Sequence, residues 1–221
     1  PVCFSGEPEP RWTRWPGIVR FHLMDMTPLG PATLHLCIDM QRLFSSDGPW
    51  PTPWMERVLP TVTRIAERAP DRTVFTRFIP PVRPEDMPGT WRGYYEQWRD
   101  VTREHLDPRM LELMPSLQRL APPAVVLDKP VYSAFAGHKL RDLVSERGID
   151  TLLITGSETD MCVLATVLGA VDLGLRVVIV TDGVCSSSDE GHDSLLTLYT
   201  KRFSYQVETV TSEALLDQWP S

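Results

Sequence analysis

Six short apolar runs recur along the chain, at 33–39, 72–79, 124–128, 151–155, 176–181 and 205–211. Most are rich in Val, Ile, Leu or Thr and stay apolar on successive residues. That pattern suits strands buried on both faces, as in a parallel sheet. Between them, amphipathic stretches predict helices over 54–68, 108–118, 137–147, 161–173 and 190–202, with a last one over 212–219. In 60–69 and 140–144 apolar residues return every three to four positions, and Gly148 and Gly174 stand where helices stop. Strands alternating with helices predict βαβ units with right-handed crossovers. The expected architecture is a three-layer α/β/α, Rossmann-like fold around a six-stranded, mostly parallel sheet.

Two stretches break the alternation. Residues 1–30 carry Pro8, Pro10, Pro16 and Pro28, with Pro31 close behind, and read as an irregular arm ahead of a single domain over 31–221. Residues 80–107 hold four prolines and then Trp91, Tyr94, Tyr95 and Trp98. A long insert after a strand is usually functional or disordered. Four aromatics argue for order.

Composition narrows the partners. At 221 residues, with 42% hydrophobic and 23% charged residues, the chain can bury a sizeable core. A formal net charge of −7 is poorly suited to neutralising phosphates, so nucleic acid is not an expected partner. No apolar run reaches the ~18 residues of a membrane span, and 1–30 lacks the apolar centre of a secretory signal. Cys3, Cys37, Cys162 and Cys185 form no C-x-x-C pair and no metal-ligand spacing. Their number and spacing point to a reduced, cytoplasmic setting with free thiols.

Ligands of open parallel sheets gather outside the carboxyl ends of the strands. Asp39, Lys129 and Gly156 each end an apolar run, so all three point to one rim. Gly156 opens the stretch Gly-Ser-Glu-Thr-Asp-Met-Cys. Thr159 and Asp160 are good N-cap residues, which puts Cys162 in the first turn of a helix. There the free N–H groups and the helix dipole lower a thiol's pKa and can hold an oxyanion. Equally, Cys162 can be a small buried hydrophobe. Lys129 is either a surface charge at a strand end or an ammonium that favours a nearby thiolate. Asp39 is either a turn-former or the carboxylate that takes a thiol proton and returns it to a leaving group.

Four motifs carry a resemblance. They are Leu36-Cys-Ile-Asp-Met-Gln41 followed by Phe44, Asp128-Lys-Pro-Val-Tyr-Ser-Ala-Phe135, Gly156-Ser-Glu-Thr-Asp-Met-Cys-Val163, and Thr181-Asp-Gly-Val-Cys185 with His192 downstream. In order over 33 to about 211, they resemble the isochorismatase-like cysteine hydrolases. That family includes nicotinamidases, N-carbamoylsarcosine amidases and isochorismatases. The resemblance implies a catalytic triad at Asp39, Lys129 and Cys162. It also implies a non-proline cis peptide at Ser157–Glu158, which would aim the Glu158 N–H beside the Cys162 N–H as an oxyanion hole. Dimers or tetramers are common in the family, so a homo-oligomer is expected.

Metal-binding nicotinamidases of the family carry an Asp-x-His pair after the second strand. Here that stretch reads Thr76-Arg-Phe-Ile-Pro-Pro-Val-Arg83, and His105 stands alone. The resemblance therefore implies no metal and no cofactor. Retention of Cys162 points to covalent hydrolysis of an amide, ureido or hydrazide-like C–N bond. The alternatives are an isochorismatase-type hydrolase that does not use the thiol covalently, and a silent binding or assembly subunit. Phe44, Trp91, Tyr132 and Phe135 suit a small apolar substrate pocket. Core packing or a subunit interface also suits them, above all Trp91 and Phe135. Arg77 and Arg92 suit a substrate carboxylate or a plain surface role. Cys185 is expected in the turn after the fifth strand, Asp160 as a helix cap, and His192 in a structural hydrogen bond.

Overall fold

The computed structural model describes residues 28–219. The arm expected over 1–30, and Cys3 with it, lies almost wholly outside the described residues. In chain order the main elements are β1 (Thr33–Ile38), α1 (Met55–Arg68), β2 (Thr73–Phe78), α2 (Thr90–Gln97), α3 (Pro115–Gln118) and β3 (Val125–Lys129). There follow α4 (Lys139–Glu146), β4 (Thr151–Ser157), α5 (Leu164–Asp172), β5 (Arg176–Cys185), α6 (Asp189–Lys201), β6 (Val207–Val210) and α7 (Ser212–Leu216).

The six strands form one sheet in the order β3-β2-β1-β4-β5-β6. Every pairing is parallel, so the sheet is fully rather than mostly parallel. The apolar runs become strands because the central ones are covered on both faces: all six residues of β1 and all seven of β4 are buried. Along β4 and β5 the pleat sends alternate side chains to opposite sides. Leu153, Val178 and Val180 pack with Ile65 of α1 and with Leu215 and Trp219. Leu152, Ile154, Val177 and Ile179 belong to the larger cluster with Val163, Val167 and Ala170.

Strand order reverses direction between β1 and β4, and a crevice opens outside their carboxyl ends at such a switch point. Asp39 follows β1 there, and the turn holding Cys162 follows β4.

Two expected elements differ. The stretch 108–118 is not one helix: it is a 3-10 turn over Pro108–Leu111 and the four-residue α3, because Pro115 lacks the N–H that would continue a helix. The fifth strand runs to Cys185, four residues beyond the expected end, so Cys185 is paired with Ser157 of β4 and not in a turn. The insert is ordered. It forms α2 between short 3-10 turns at Pro84–Asp86 and Arg99–Val101.

Candidate active site

At the end of β1 the chain turns sharply. Asp39 takes φ 51°, the one positive φ among the described non-glycine residues, and its carbonyl accepts the Gln41 N–H at 2.8 Å. Aspartate tolerates this left-handed conformation better than most residues. The turn places a fully buried carboxylate at the strand end. Its Oδ1 accepts a 2.6 Å hydrogen bond from the Thr76 hydroxyl on β2. Gln41 ties the same corner down: its Oε1 accepts the Phe78 N–H at 2.6 Å, and its Nε2 donates to the carbonyls of Phe78 (3.2 Å) and Leu111 (3.0 Å).

Lys129 ends β3, two strands away from β1. Adjacent strands lie about 4.8 Å apart, so only a long side chain spans the gap. It passes over β2, with Nζ 5.0 Å from the centroid of the Phe78 ring. Nζ then lies 2.6 Å from Asp39 Oδ2, 3.3 Å from Cys162 Sγ and 3.1 Å from the Val131 carbonyl. An ammonium has three protons, and here it meets three acceptors. Burial pulls the lysine pKa down, but Asp39 and Cys162 together outweigh it and the net shift is upward. The ammonium stays charged.

Cys162 is brought to this point by the end of β4. Gly156 has φ 112°, and a Cβ there would sit 2.1 Å from the Ile38 carbonyl oxygen, so only glycine lets β4 lie this close to β1. The Ser157–Glu158 peptide is cis. A π-helical turn, Thr159–Val163, follows and leads into α5. Such turns cluster at functional sites. The thiol is 6% exposed. Its pKa is not lowered, as the helix position implied, but raised well above the ordinary value. Burial is the main cause and the Asp39 charge adds to it, against a smaller opposing pull from Lys129.

The flanking carboxylates are held from β5's carboxyl end. Glu158 Oε2 accepts the Ser187 N–H at 3.1 Å and its hydroxyl at 2.6 Å. Asp160 does not cap the helix. Its Oδ1 accepts the Ser186 hydroxyl at 2.6 Å, and the start of the turn has no side-chain cap. Asp160 reaches so far toward α6 that a Cβ on Gly191 would lie 2.1 Å from Oδ2. Thr159 is no cap either; its hydroxyl pairs with His192 Nδ1 at 2.8 Å.

Beside the triad the rings form a continuous wall. Phe44 stacks on Trp50 (6.2 Å between centroids), and Trp50 contacts Phe78 and Tyr94 (6.1 Å each). Tyr132 lies 4.9 Å from Trp91 and 6.5 Å from Phe78. Phe44, Trp91 and Tyr132 are therefore brought together. Phe135 instead lies buried against Gly169 of α5. Arg77 spends its guanidinium on Asp128, with bonds of 2.7 and 2.9 Å, and Arg92 is exposed on α2. Arg77 is thus committed to Asp128 and not free for a substrate carboxylate. Tyr94 feels the charges of Tyr132, Glu158 and Cys162, and burial first, then these, push its pKa up to about 12.

Thr76, Gln41, Trp50, Phe78 and Tyr94 were not singled out by sequence as parts of the site. Tyr94 had a signal, since it follows Trp91 by three residues and shares its helix face. Among the described residues no group of three or more His, Cys, Asp or Glu side chains converges to hold a metal. A cavity of about 500 Å³ lies elsewhere, between α1 and the start of α6, and Asp39, Lys129 and Cys162 do not line it.

Known proteins resemble the chain in sequence and in fold. A family model for the Isochorismatase domain matches residues 33–211. Nicotinamidase 3 of Arabidopsis thaliana is 28% identical over 176 residues, 78% of this chain and 83% of that protein. N-carbamoylsarcosine amidase of an Arthrobacter species is 30% identical over 152 residues, 67% of this chain and 57% of that protein. The chain thus spans about half the length of some curated relatives it matches, 47% for a Bacillus subtilis protein. In fold it is similar to a cysteine hydrolase from Pseudomonas syringae, with TM-score 0.72 and 20% identity over 87% of this chain and 95% of that one. With the model spanning 33–211 of 221 residues, the chain belongs to the isochorismatase family.

Proposed function

We propose that the protein is a cysteine amidohydrolase that cleaves a C–N bond of a small molecule through a thioester on Cys162. One observation carries this: Lys129 Nζ lies 2.6 Å from Asp39 Oδ2 and 3.3 Å from Cys162 Sγ. A carboxylate, an ammonium and a thiol are gathered in one buried place. The names of two relatives, a nicotinamidase and an N-carbamoylsarcosine amidase, point the same way.

The cycle starts with a neutral thiol. As Sγ attacks the carbonyl carbon, its proton passes to Asp39 Oδ2. The Glu158 and Cys162 N–H groups, at the start of the turn where backbone donors lack helical partners, take the oxyanion. The tetrahedral intermediate collapses, the C–N bond breaks, and Asp39 gives its proton to the leaving nitrogen. Water then attacks the thioester, losing a proton to Asp39. That proton returns to sulfur as the carboxylic acid leaves. Lys129 stabilises each negative charge in turn. The wall of Phe44, Trp50, Phe78, Trp91, Tyr94 and Tyr132 suits a small, flat carboxamide, ureido or hydrazide-like substrate. We also read the enzyme as a homo-oligomer, which sedimentation analysis tests.

The test is a screen of small amides, ureides and hydrazides for ammonia or amine release, followed by rapid quench and intact-mass analysis. The expected result is an acyl adduct on Cys162 and no turnover by Cys162→Ala. Undiminished hydrolysis by Cys162→Ala would overturn the covalent route.

A further inference from the structure

Asp39 has two carboxylate oxygens, and the structure gives each a separate neighbour. Oδ2 faces Lys129 Nζ at 2.6 Å. Oδ1 lies 2.6 Å from the hydroxyl of Thr76, which is buried in β2. The direction of that second bond is fixed. The Asp39 N–H, which can only donate, is shared between that hydroxyl oxygen and the Thr76 carbonyl, 3.2 Å from each. The ionised carboxylate can only accept, so the single proton of the hydroxyl goes to Oδ1. An oxygen already receiving a proton from a donor with this one acceptor is a poor place to put another.

We propose that Thr76 is a positioning residue of the reaction: its hydroxyl occupies Asp39 Oδ1 and so directs the Cys162 proton to Oδ2, the oxygen beside Lys129. Thr76 touches neither substrate nor thiol and acts through Asp39 alone. No bond other than S–H and O–H changes: the proton leaves Sγ with its electron pair remaining on sulfur, and an Oδ2 lone pair receives it. The charged or titratable groups facing Asp39 are Lys129 from β3, Cys162 from the π-helical turn and Cys37 from β1 itself.

This rests on Asp39 as the proton acceptor, and the experiment separates the two ideas without a known substrate. Alkylation of Cys162 by iodoacetamide is followed against pH by peptide mass spectrometry. The proteins compared are the wild type, Thr76→Val, Thr76→Ser and Asp39→Asn, and added glutathione serves as the reference thiol. Thr76→Val keeps the side-chain shape and loses the hydroxyl. Its acidic limb is expected to move to higher pH, because a carboxylate that loses a donor holds its proton more tightly. Its plateau rate is expected to fall roughly tenfold. Thr76→Ser restores both, and Asp39→Asn loses the limb. If Thr76→Val melts earlier but keeps the wild-type limb, its role is structural and the proposal falls while the acceptor reading stands. If Asp39→Asn keeps the wild-type limb, both fall.

Discussion

His35 offers a prediction whose size follows from its surroundings. It sits in the middle of β1, fully buried, with Nδ1 3.2 Å from the Thr73 hydroxyl and Nε2 2.8 Å from the Thr155 hydroxyl. The Thr73 hydroxyl proton goes to the Ala69 carbonyl at 2.9 Å, so Thr73 accepts from Nδ1–H. Nε2 is left as the acceptor for Thr155, and a proton there would face another proton. Burial lowers the pKa from 6.5 to about 3. An imidazole depressed in this way binds its proton in the unfolded chain first. Its contribution to stability is therefore intact above pH 6.5 and is lost as pH falls toward 3. Each unit in that window costs about 1.4 kcal/mol, so lowering pH from 7.5 to 5 removes about 2 kcal/mol. The assay is urea unfolding by circular dichroism at several pH values, for the wild type and for His35→Gln, which cannot titrate. The difference between the two proteins should narrow by about 2 kcal/mol over that range, with other histidines cancelling. Parallel stability curves would refute the reasoning.

Four further outcomes can be checked. Lys129→Met leaves Asp39 buried without its cation; a loss of roughly 3–5 kcal/mol in urea melts is expected, with turnover reduced at least a hundredfold. Gly156→Ala forces a Cβ to 2.1 Å from the Ile38 carbonyl at φ 112°, and soluble expression together with the melting temperature should collapse. Tyr95 is fully buried and its hydroxyl has no hydrogen-bond partner among the described residues, so Tyr95→Phe should raise stability by about 1 kcal/mol in thermal melts. Arg77→Ala breaks only a half-exposed pair with Asp128; stability should change by less than about 1 kcal/mol and KM should hold, whereas a large rise in KM would restore the clamp reading.

The sheet was legible because its signal is local and repeated. Runs such as 151–155 are apolar on consecutive residues, which a strand with one wet face does not tolerate. The three rim residues were legible for a topological reason: each ends such a run, and parallel strands put those ends on one side. An amphipathic stretch does not make one helix of 108–118, because Pro115 has no N–H to continue the ladder and starts a new turn instead. Thr76 and Phe78 were passed over because nothing in a strand sequence says which face of the neighbouring strand a side chain meets. The thiol pKa departs from the helix-terminus expectation for a related reason. The helix-terminus argument depends on position in the chain, whereas burial and the nearness of Asp39 depend on the assembled cleft.

That raised pKa changes how the three residues fit together. An ionised thiol at rest, beside an ionised Asp39, would place two anions against one cation in a site almost closed to water. Burial penalises such an excess severely. With the sulfur protonated, the cleft holds one ammonium and one carboxylate and is neutral. In the proposed cycle the proton crosses to Asp39, and the cleft would then hold one ammonium and one thiolate, neutral still. The transfer moves charge over a few ångströms without creating any, and Lys129, within reach of both acceptors at 2.6 and 3.3 Å, serves as counter-ion on either side of it. On this view the thiol need not be activated before the substrate arrives. The preorganised neutral pair would make a high thiol pKa compatible with the proposed nucleophilic attack at neutral pH.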